Sequence, residues 1–346
     1  MKHQTTRYGE IPFYKIGTFG NTADAFISKK LFLEYKTKYS FPKKGDILIS
    51  ASGTIGKAVI YDGKPAYFQD SNIVWIDNDE TLVKNDFLFY AYSNVKWNTE
   101  HTTILRLYND NFRNTLIPLP PLNEQNAIAN VLSALDRYLC ALDALILKKE
   151  GVKKALSFEL LSQRKRLKGF NQAWQRVRLG DIANYLTSNL SVEQITQQGK
   201  IKVYDVNNFI GYTDTTFISD KPYISIVKDG SVGRVRILPP KTNILSTMGA
   251  LIANHRTTTE FLFYLLSNFD FKNFTSGSII PHIYFKDYKE KTIFLPPLNE
   301  QSAIANILSA LDNEITSLKN KKRQFENIKK ALNHDLMSAK IRVLEK

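Results

Sequence analysis

The chain has 346 residues, a single cysteine and a formal net charge of +14. One cysteine excludes an internal disulfide and a cysteine-based zinc site, and no apolar run reaches the roughly 18 residues of a membrane-spanning helix. Its length and 43% hydrophobic content predict a globular protein of about two domains. We expect it in the cytoplasm, without membrane contact.

The positive charge is spread along the whole chain. Residues 1–118, 119–173, 174–294 and 295–346 each carry a net charge of +3 or +4. A globular body that is basic throughout suits a polyanion such as DNA. A basic surface without such a partner is the alternative.

The first 118 residues are predicted to form a strand-rich globule. Gly45–Ile60 contains β-branched runs on either side of Gly53-x-x-Gly56-Lys57, which predicts a strand, a turn and a second strand. The two glycines are too close together for a Walker loop, so a hairpin is favoured over a phosphate cradle. Asp86–Ser93 predicts a short aromatic helix.

A long helix follows this globule. Pro120 and Pro121 suit a first helical turn, Asn123 is its predicted cap, and Glu124 lies near the positive helix end. Apolar residues then recur at alternating spacings of three and four, which is typical of a coiled-coil seam. They are Ile128, Val131, Leu135, Leu139, Leu142, Ile146, Val152 and Leu156. We expect about 40 helical residues, or about 60 Å.

The second globule repeats the plan of the first. Tyr223–Ile237 contains the matching turn Gly230-x-x-Gly233-Arg234, and Glu260–Ser267 predicts the matching helix. Ser278–Tyr288 aligns with Thr102–Phe112.

The helix is also repeated. Leu295–Asp312 copies Leu119–Asp136 with two differences in 18 residues, Asn126/Ser302 and Val131/Ile307. Its apolar residues are Ile304, Ile307, Leu311, Ile315, Leu318, Phe325, Ile328 and Leu332. Two such helices in one chain most simply pack on each other, so the repeat predicts two related halves.

No catalytic motif accompanies this repeat. The sequence contains no dinucleotide-binding loop, no N-P-P-[FY] adenine-methylation motif and no histidine spacing typical of metal ligands. The repeated carboxylates Glu124/Glu300 and Asp136/Asp312 are interpreted as caps and surface charges. We predict no catalytic residue, no metal site and no cofactor, and therefore a binding protein.

The repeated PLPPLNEQ-x-AIAN-x-LSALD segments, each following a variable globule, closely resemble the conserved regions of specificity subunits (HsdS) of type I restriction–modification systems. The residues that carry the resemblance are Pro120, Pro121, Leu122, Glu124, Gln125, Ile128 and Ala129, and Pro296, Pro297, Leu298, Glu300, Gln301, Ile304 and Ala305. The turns SASGTIGK and KDGSVGR and the stretch Gly277–Tyr288 resemble target-recognition sequence.

The resemblance implies an α/β (α+β) fold with two strand-rich target-recognition domains joined by two long antiparallel coiled-coil helices in a pseudo-twofold arrangement. The domains are residues 1–118 and 174–294, and the helices lie within 119–168 and 295–343. By the same resemblance, each domain is expected to read one half of a bipartite, asymmetric double-stranded DNA site, and we hypothesise that helix length sets the gap. The resemblance implies a subunit that is not itself an enzyme. It also implies docking of two modification (methyltransferase) subunits and restriction subunits, to which S-adenosylmethionine, ATP and Mg would belong.

Candidate residues follow from this resemblance and from their repeated positions. The candidate DNA-binding residues are Lys57, Arg106, Tyr108, Lys228, Arg234, His282 and Tyr284. The candidate spacer and partner-docking residues are Glu124, Gln125, Ile128, Leu135, Glu300, Gln301, Ile304 and Leu311. Solvated or packed side chains are the alternative for each DNA candidate. The basic cluster Arg164, Lys165, Arg166 and Lys168 is interpreted either as a phosphate contact or as a solvated helix end.

One departure from the family pattern concerns the first globule. About 25 residues separate Trp174 from Gly199, whereas eight residues precede the corresponding Gly9. We therefore expect the first domain to lack its opening strand and to open more easily than the second. A scaffold without DNA binding, or a silent recombination-donor copy, is the alternative function.

Overall fold

The computed structural model describes residues 4–68, 72–97 and 106–344. The chain divides into two compact units: the first comprises residues 1–143 and 320–346, and the second residues 144–319. Each unit therefore consists of one globular part and one portion of each of two long helices. In the part of the chain that the structure describes, no helix has the combination of length and apolarity needed to cross a membrane.

The globular part of the first unit contains short strands and short helices. The strands are β1 (Ile11–Tyr14), β2 (Ala25–Ile27), β3 (Ile47–Ser50), β4 (Ala58–Ile60), β5 (Tyr67–Phe68) and β6 (Ile73–Trp75). The helices are α1 (Lys29–Lys38), α2 (Asn85–Tyr92) and α3 (Asn109–Arg113). The strands form two three-stranded sheets, in the orders β2-β1-β5 and β4-β3-β6. The predicted helix over Asp86–Ser93 corresponds to α2.

The first long helix, α4 (Leu122–Leu161), is followed by a larger globular part in the second unit. Its strands are β7 (Gln175–Arg178), β8 (Ala183–Thr187), β9 (Ile201–Tyr204), β10 (Phe209–Thr213), β11 (Tyr223–Val227), β12 (Val235–Leu238), β13 (Thr242–Ile244), β14 (Met248–Ala253), β15 (Thr275–Ser276), β16 (His282–Ile283) and β17 (Thr292–Leu295). Its helices are α5 (Thr259–Ser267) and α6 (Phe285–Tyr288), and the second long helix is α7 (Leu298–Met337).

The two globular parts share their sheet topology. The order β10-β9-β13 repeats β2-β1-β5, and β12-β11-β14 repeats β4-β3-β6. The second unit extends this last sheet with β8, which pairs antiparallel with β14, and adds the pair β17-β7. Residues 4–68, 72–97 and 106–143 of the first unit contain no counterpart of β7 or β8.

The long helices begin one residue earlier than the predicted caps. Helix α4 begins at Leu122, and the amide of Gln125 donates to the carbonyl of Pro121 at 3.0 Å. Helix α7 begins in the same way, with the amide of Gln301 donating to the carbonyl of Pro297. Pro121 rather than Asn123 therefore lies at the cap position, but the side chain of Asn123 still accepts from the free first-turn amide of Glu124 at 2.9 Å.

In each unit the two helix portions run antiparallel. The ion pairs between α4 and α7 show this in the first unit, because residue numbers rise along α4 as they fall along α7: Asp136 binds Lys329 and Asp143 binds Lys322. The second unit repeats it, since Lys149 binds Glu314 and Lys153 binds Asp312. The expected fold class, two strand-rich α/β parts carried on antiparallel helices, is confirmed.

The buried face of the helices differs in part from the predicted stripe. Leu132 and Leu308 are fully buried, whereas Val131, Val152 and Ile328 are exposed. Leu132 packs with Ile128 against α2 and the C-terminal end of α7 in the first unit. Leu308 packs with Ile304 against α5 in the second unit. The stripe shifts by one position because each helix contacts both its partner helix and a globule.

Candidate nucleic-acid interface

Both glycine turns are tight hairpins with the same backbone bonds. In the first unit the amide of Gly56 donates to the carbonyl of Ser50, closing β3 onto β4. In the second unit Gly233 donates to Val227 in the same way, closing β11 onto β12. All four glycines have a positive φ, between +67° and +83°. The predicted hairpins are confirmed.

An aromatic ring lies against the second glycine of each turn. A β-carbon on Gly56 would lie 2.2 Å from the indole nitrogen of Trp97, and one on Gly233 would lie 2.6 Å from the ring of Phe271. These contacts hold each turn against the body of its domain. The sequence analysis missed both rings, because neither has a fixed spacing from its turn.

A second backbone segment lies beside each turn and carries candidate residues. Arg106 forms a β-bridge with Ser52 in the first unit, and His282 forms one with Asp229 in the second. The amide of Gly230 donates to the carbonyl of Pro281 at 2.8 Å. Arg106 and His282 therefore occupy equivalent places beside the two turns, as the sequence alignment predicted. Residues 102–105 of the aligned segment lie outside the described residues.

The candidate side chains differ in solvent exposure and in the contacts they already make within the protein. Arg106, Tyr108, Arg234 and Tyr284 are exposed, and Lys228 and His282 are half-buried. The rings of His282 and Tyr284 lie 5.9 Å apart, and Nδ1 of His282 lies 4.0 Å from a carboxylate oxygen of Asp229. Lys57 is different, because its Nζ donates to the carbonyl of Phe19 at 2.5 Å. Its ammonium group is thus already bound within the first unit.

In the second unit, Arg234 belongs to a basic and aromatic group that sequence analysis missed. Arg234 donates to the side-chain oxygen of Asn207, and Arg236 donates to the backbone carbonyl of Asn207, both at 2.9 Å. The guanidinium of Arg236 lies 5.2 Å from the ring centre of Tyr204. Burial does not alternate along β12, where Val235, Arg236 and Ile237 are all half-buried, so no local pattern pointed to Arg236.

The adjoining hairpin ends in exposed apolar residues. Ile279 and Ile280, between β15 and β16, are 92% and 58% exposed. They follow Gly277, whose positive φ of +88° turns the chain. Exposed cations, aromatic rings and apolar side chains together provide phosphate contacts, stacking surfaces and contacts to base edges.

Each globule is fixed to its long helix by a buried glutamine. Gln301 accepts from the amide of Thr258, which caps α5, and donates to the carbonyls of Arg256 and Pro296. Gln125 makes the equivalent bonds in the first unit, to the amide of Lys84 and the carbonyls of Leu82 and Pro120. These residues position the domains on the helices.

The repeated carboxylates are also internal, so their interpretation as surface charges was wrong for the glutamates. Glu300 is fully buried and binds Arg166 and the indole nitrogen of Trp174. Glu124 is buried and binds Arg342. Arg166 therefore stabilises the domain junction, which removes it from the basic cluster proposed to contact phosphate. Both buried glutamates have an arginine partner, because burying an unpaired carboxylate would cost folding free energy.

The repeated aspartates join three elements. In the first unit Asp136 accepts from the hydroxyl of Tyr90 at 2.7 Å and binds Lys329. In the second, Asp312 accepts from Tyr264 at 2.9 Å and binds Lys153. Burial and then the bond to the carboxylate raise the pKa of both tyrosines above the ordinary value. Both phenols therefore remain neutral donors at physiological pH.

The remaining helix candidates differ in burial. Ile128 and Ile304 are buried, whereas Leu135 and Leu311 are half-buried. Across the residues that the structure describes, no group of His, Cys, Asp or Glu is arranged to hold a metal ion. Each unit thus combines buried helix junctions with a variable, exposed surface.

Comparisons with known proteins identify this arrangement. Residues 1–149 and 171–327 match the family described as type I restriction modification DNA specificity domain. A putative type I restriction enzyme MjaX specificity subunit from Methanocaldococcus jannaschii is 28% identical over 337 residues, covering 86% of this chain and 79% of that protein.

A putative type I restriction enzyme specificity subunit from Haemophilus influenzae is 61% identical over 137 residues. That alignment covers 39% of this chain and 36% of the relative, so it spans about a third of the relative's length.

The fold also matches a solved structure, the type I restriction–modification S subunit from M. genitalium, with a TM-score of 0.64 and 20% identity. That match covers 97% of this chain and 91% of the other. A structure from a study of complex assembly in the type I system matches with a TM-score of 0.55 and 17% identity, covering 85% and 82% of the two chains. The chain therefore belongs to the family of type I restriction–modification specificity subunits, the non-catalytic recognition components of these systems.

Proposed function

We propose that this chain binds double-stranded DNA at a bipartite, asymmetric site, with each unit recognising one half. One observation carries the proposal: the two units repeat one backbone framework while their exposed side chains differ. Arg106 lies where the second unit has His282, and Arg234 is exposed at the end of its turn, whereas the equivalent Lys57 is bound to the carbonyl of Phe19. Equivalent scaffolds with different side chains favour two different half-sites.

The chemistry of the second unit supports base and phosphate contacts. Arg234 is exposed and oriented by Asn207, and a guanidinium group bonds guanine or phosphate in a bidentate manner. Tyr284 and Ile279 are exposed on the segment beside the same turn. The net charge of +14 favours the polyanion at long range.

We further propose that the long helices dock two modification subunits and the restriction subunits. The near-identity of the two repeated segments supports this, because two copies of one subunit require two equivalent surfaces. On this proposal S-adenosylmethionine, ATP and Mg are bound by those partners, and the complex acts on DNA in the cytoplasm.

Selection from a random duplex library tests DNA recognition. The full chain, purified with its modification subunits, should enrich two short sequences separated by a fixed gap. Adenine-methylation mapping of the host genome should give the same split sequence. A complex that assembles but enriches no sequence would favour the alternative, a scaffold or silent donor copy.

Arg234→Ala tests the assignment of the surface in the second unit. If Arg234 reads a base, we expect a loss of about 1–3 kcal/mol and relaxed preference at one base pair; if it binds phosphate, the salt slope should fall by about one. Arg178→Ala is the matched control, because Arg178 is exposed in the same unit but bound to Asp181 and Glu290. Equal behaviour of both variants would remove Arg234 from the interface.

A further inference from the structure

The tip of the β15–β16 hairpin in the second unit is a compact loop. Ser276 pairs with His282 at its base, so residues 277–281 form the loop. Gly277 has a φ of +88°. A β-carbon at Gly277 would overlap the backbone oxygen of Ile280 and would lie 3.0 Å from ring atoms of His282. The loop is therefore folded tightly onto its own base.

The base of this hairpin is fixed to the β11–β12 turn. The amide of Gly230 donates to the carbonyl of Pro281 at 2.8 Å. The amide of Ile283 donates to the carbonyl of Lys228 at 2.9 Å. These bonds lie on either side of the β-bridge described above. The tip thus keeps a fixed position relative to the turn that ends in Arg234.

Two isoleucines at the tip are open to solvent. Ile279 is 92% exposed and Ile280 is 58% exposed. Apolar side chains of this size gain free energy when they leave water. Both are β-branched, so few rotamers are lost when they become buried. The tip is therefore suited to burial in a partner molecule.

The elements that hold the tip also carry cations. Arg234 and Lys286 are exposed. The ammonium group of Lys286 lies 5.4 Å from the ring centre of Tyr284. The turn also carries one acidic residue, Asp229, and its carboxylate lies 4.0 Å from Nδ1 of His282. An apolar tip with cations near its base matches DNA, in which stacked bases are flanked by phosphates, better than it matches an apolar protein surface.

We propose that Ile279, supported by Ile280, is a wedge that enters between two stacked base pairs and opens that step of the duplex. The proposal rests on the DNA recognition proposed above and deepens it. Apolar side chains can unstack a base step in this way, and contacts formed in the complex offset the cost of unstacking. The wedge gives the second unit a preference for easily opened pyrimidine–purine steps without a hydrogen bond to a base.

The first unit differs at this position of the sequence. Thr103 aligns with Ile279, and Ile104 aligns with Ile280. Residues 103 and 104 lie outside the described residues, so the comparison is one of sequence alone. Threonine is smaller than isoleucine and carries a hydroxyl group. We therefore expect the wedge to act in one half-site only.

A nick scan tests the wedge with the full chain, purified with its modification subunits. The probe is the duplex recovered from the random library, with a single phosphorylated nick moved one step at a time through both half-sites. A nick at the wedged step weakens the stacking that the wedge must break. The unaltered chain should bind that duplex about tenfold more tightly, which corresponds to about 1.4 kcal/mol, the mean stacking free energy of one step.

Variants of the tip show whether this gain depends on the isoleucines. The double variant Ile279→Ser/Ile280→Ser should lose the gain at that step, and it should fold because both side chains are exposed. Ile279→Leu should keep the gain, since leucine also serves as a wedge. Val192→Ser is the matched control. Val192 is 65% exposed in the same unit but lies outside the hairpin, so the gain should not change.

The outcomes separate the wedge from DNA recognition itself. The wedge is overturned if no nick strengthens binding, or if every gain seen with the unaltered chain persists in the double variant. Loss of assembly with the modification subunits in that variant would also overturn it, because the tip would then contact protein. A library that yields no split sequence contradicts the proposed DNA recognition, whereas a split sequence without a nick effect contradicts the wedge alone.

Discussion

At the scale of single residues, the junction glutamines connect recognition to the frame. Gln301 is fully buried and makes bonds to backbone atoms before α5 and before α7. It also accepts from the hydroxyl of Thr257. One side chain thus satisfies polar groups from two separate segments, which an apolar residue of similar size cannot do.

Gln301→Leu should destabilise the second unit by about 2–4 kcal/mol, because it leaves the Thr258 amide and two carbonyls buried without partners. Urea unfolding, combined with hydrogen exchange in residues 254–262, measures this loss. Gln198→Leu, at an exposed position in the same unit, should change stability by less than about 0.5 kcal/mol. Equal effects of the two substitutions would contradict the assigned role.

At the scale of elements, the glycine turns connect two strands and present the candidate cations. Gly230 and Gly233 both have a positive φ, but their surroundings differ. A β-carbon at Gly230 would meet nothing within 4 Å, whereas one at Gly233 would lie against Phe271. Gly230 is therefore needed only for its left-handed backbone conformation. Gly233 is needed for the same conformation and also because Phe271 leaves no room for a β-carbon.

Gly233→Ala should therefore cost more stability than Gly230→Ala. We expect about 1–2 kcal/mol for Gly230→Ala from the left-handed backbone alone, and at least about 1 kcal/mol more for Gly233→Ala from the contact with Phe271. Thermal unfolding of the two variants provides the comparison. Equal melting temperatures would show that the aromatic ring moves away without cost.

The elements were the most predictable part of the molecule, because they depend on local pattern. Periodicity gave the length of both long helices, and repeated glycines gave the hairpins. The buried role of Glu300 and the bond between Lys57 and the Phe19 carbonyl were not predictable, since both depend on contacts far apart in the chain. Arg236 and Tyr204 were missed for the same reason, because they meet across different sheets.

At the scale of the whole molecule, the 40-residue helices are the feature common to both units. Forty residues correspond to about 60 Å of helix, compared with about 34–36 Å between half-sites one DNA turn apart. We propose that the number of helical residues sets the gap between half-sites.

Deleting residues 141–147 from α4 and 318–324 from α7 tests this by removing one heptad from each helix. The ion pairs Lys153–Asp312 and Lys329–Asp136 are retained. Each helix shortens by about 10.5 Å, so sites selected from a random library should have a gap shorter by about three base pairs. The half-site sequences should not change. An unchanged gap would contradict the proposal.

The division of the chain into one continuous and one discontinuous unit affects the order in which the units can fold during synthesis. The second unit is one continuous stretch, residues 144–319, and can form as soon as that stretch leaves the ribosome. The first unit also requires residues 320–346, because Arg342 binds Glu124 and Lys329 binds Asp136. The globule that is translated first is thus completed last, and until then Ile128 and Leu132 lack the α7 residues Leu336 and Met337 that pack against them.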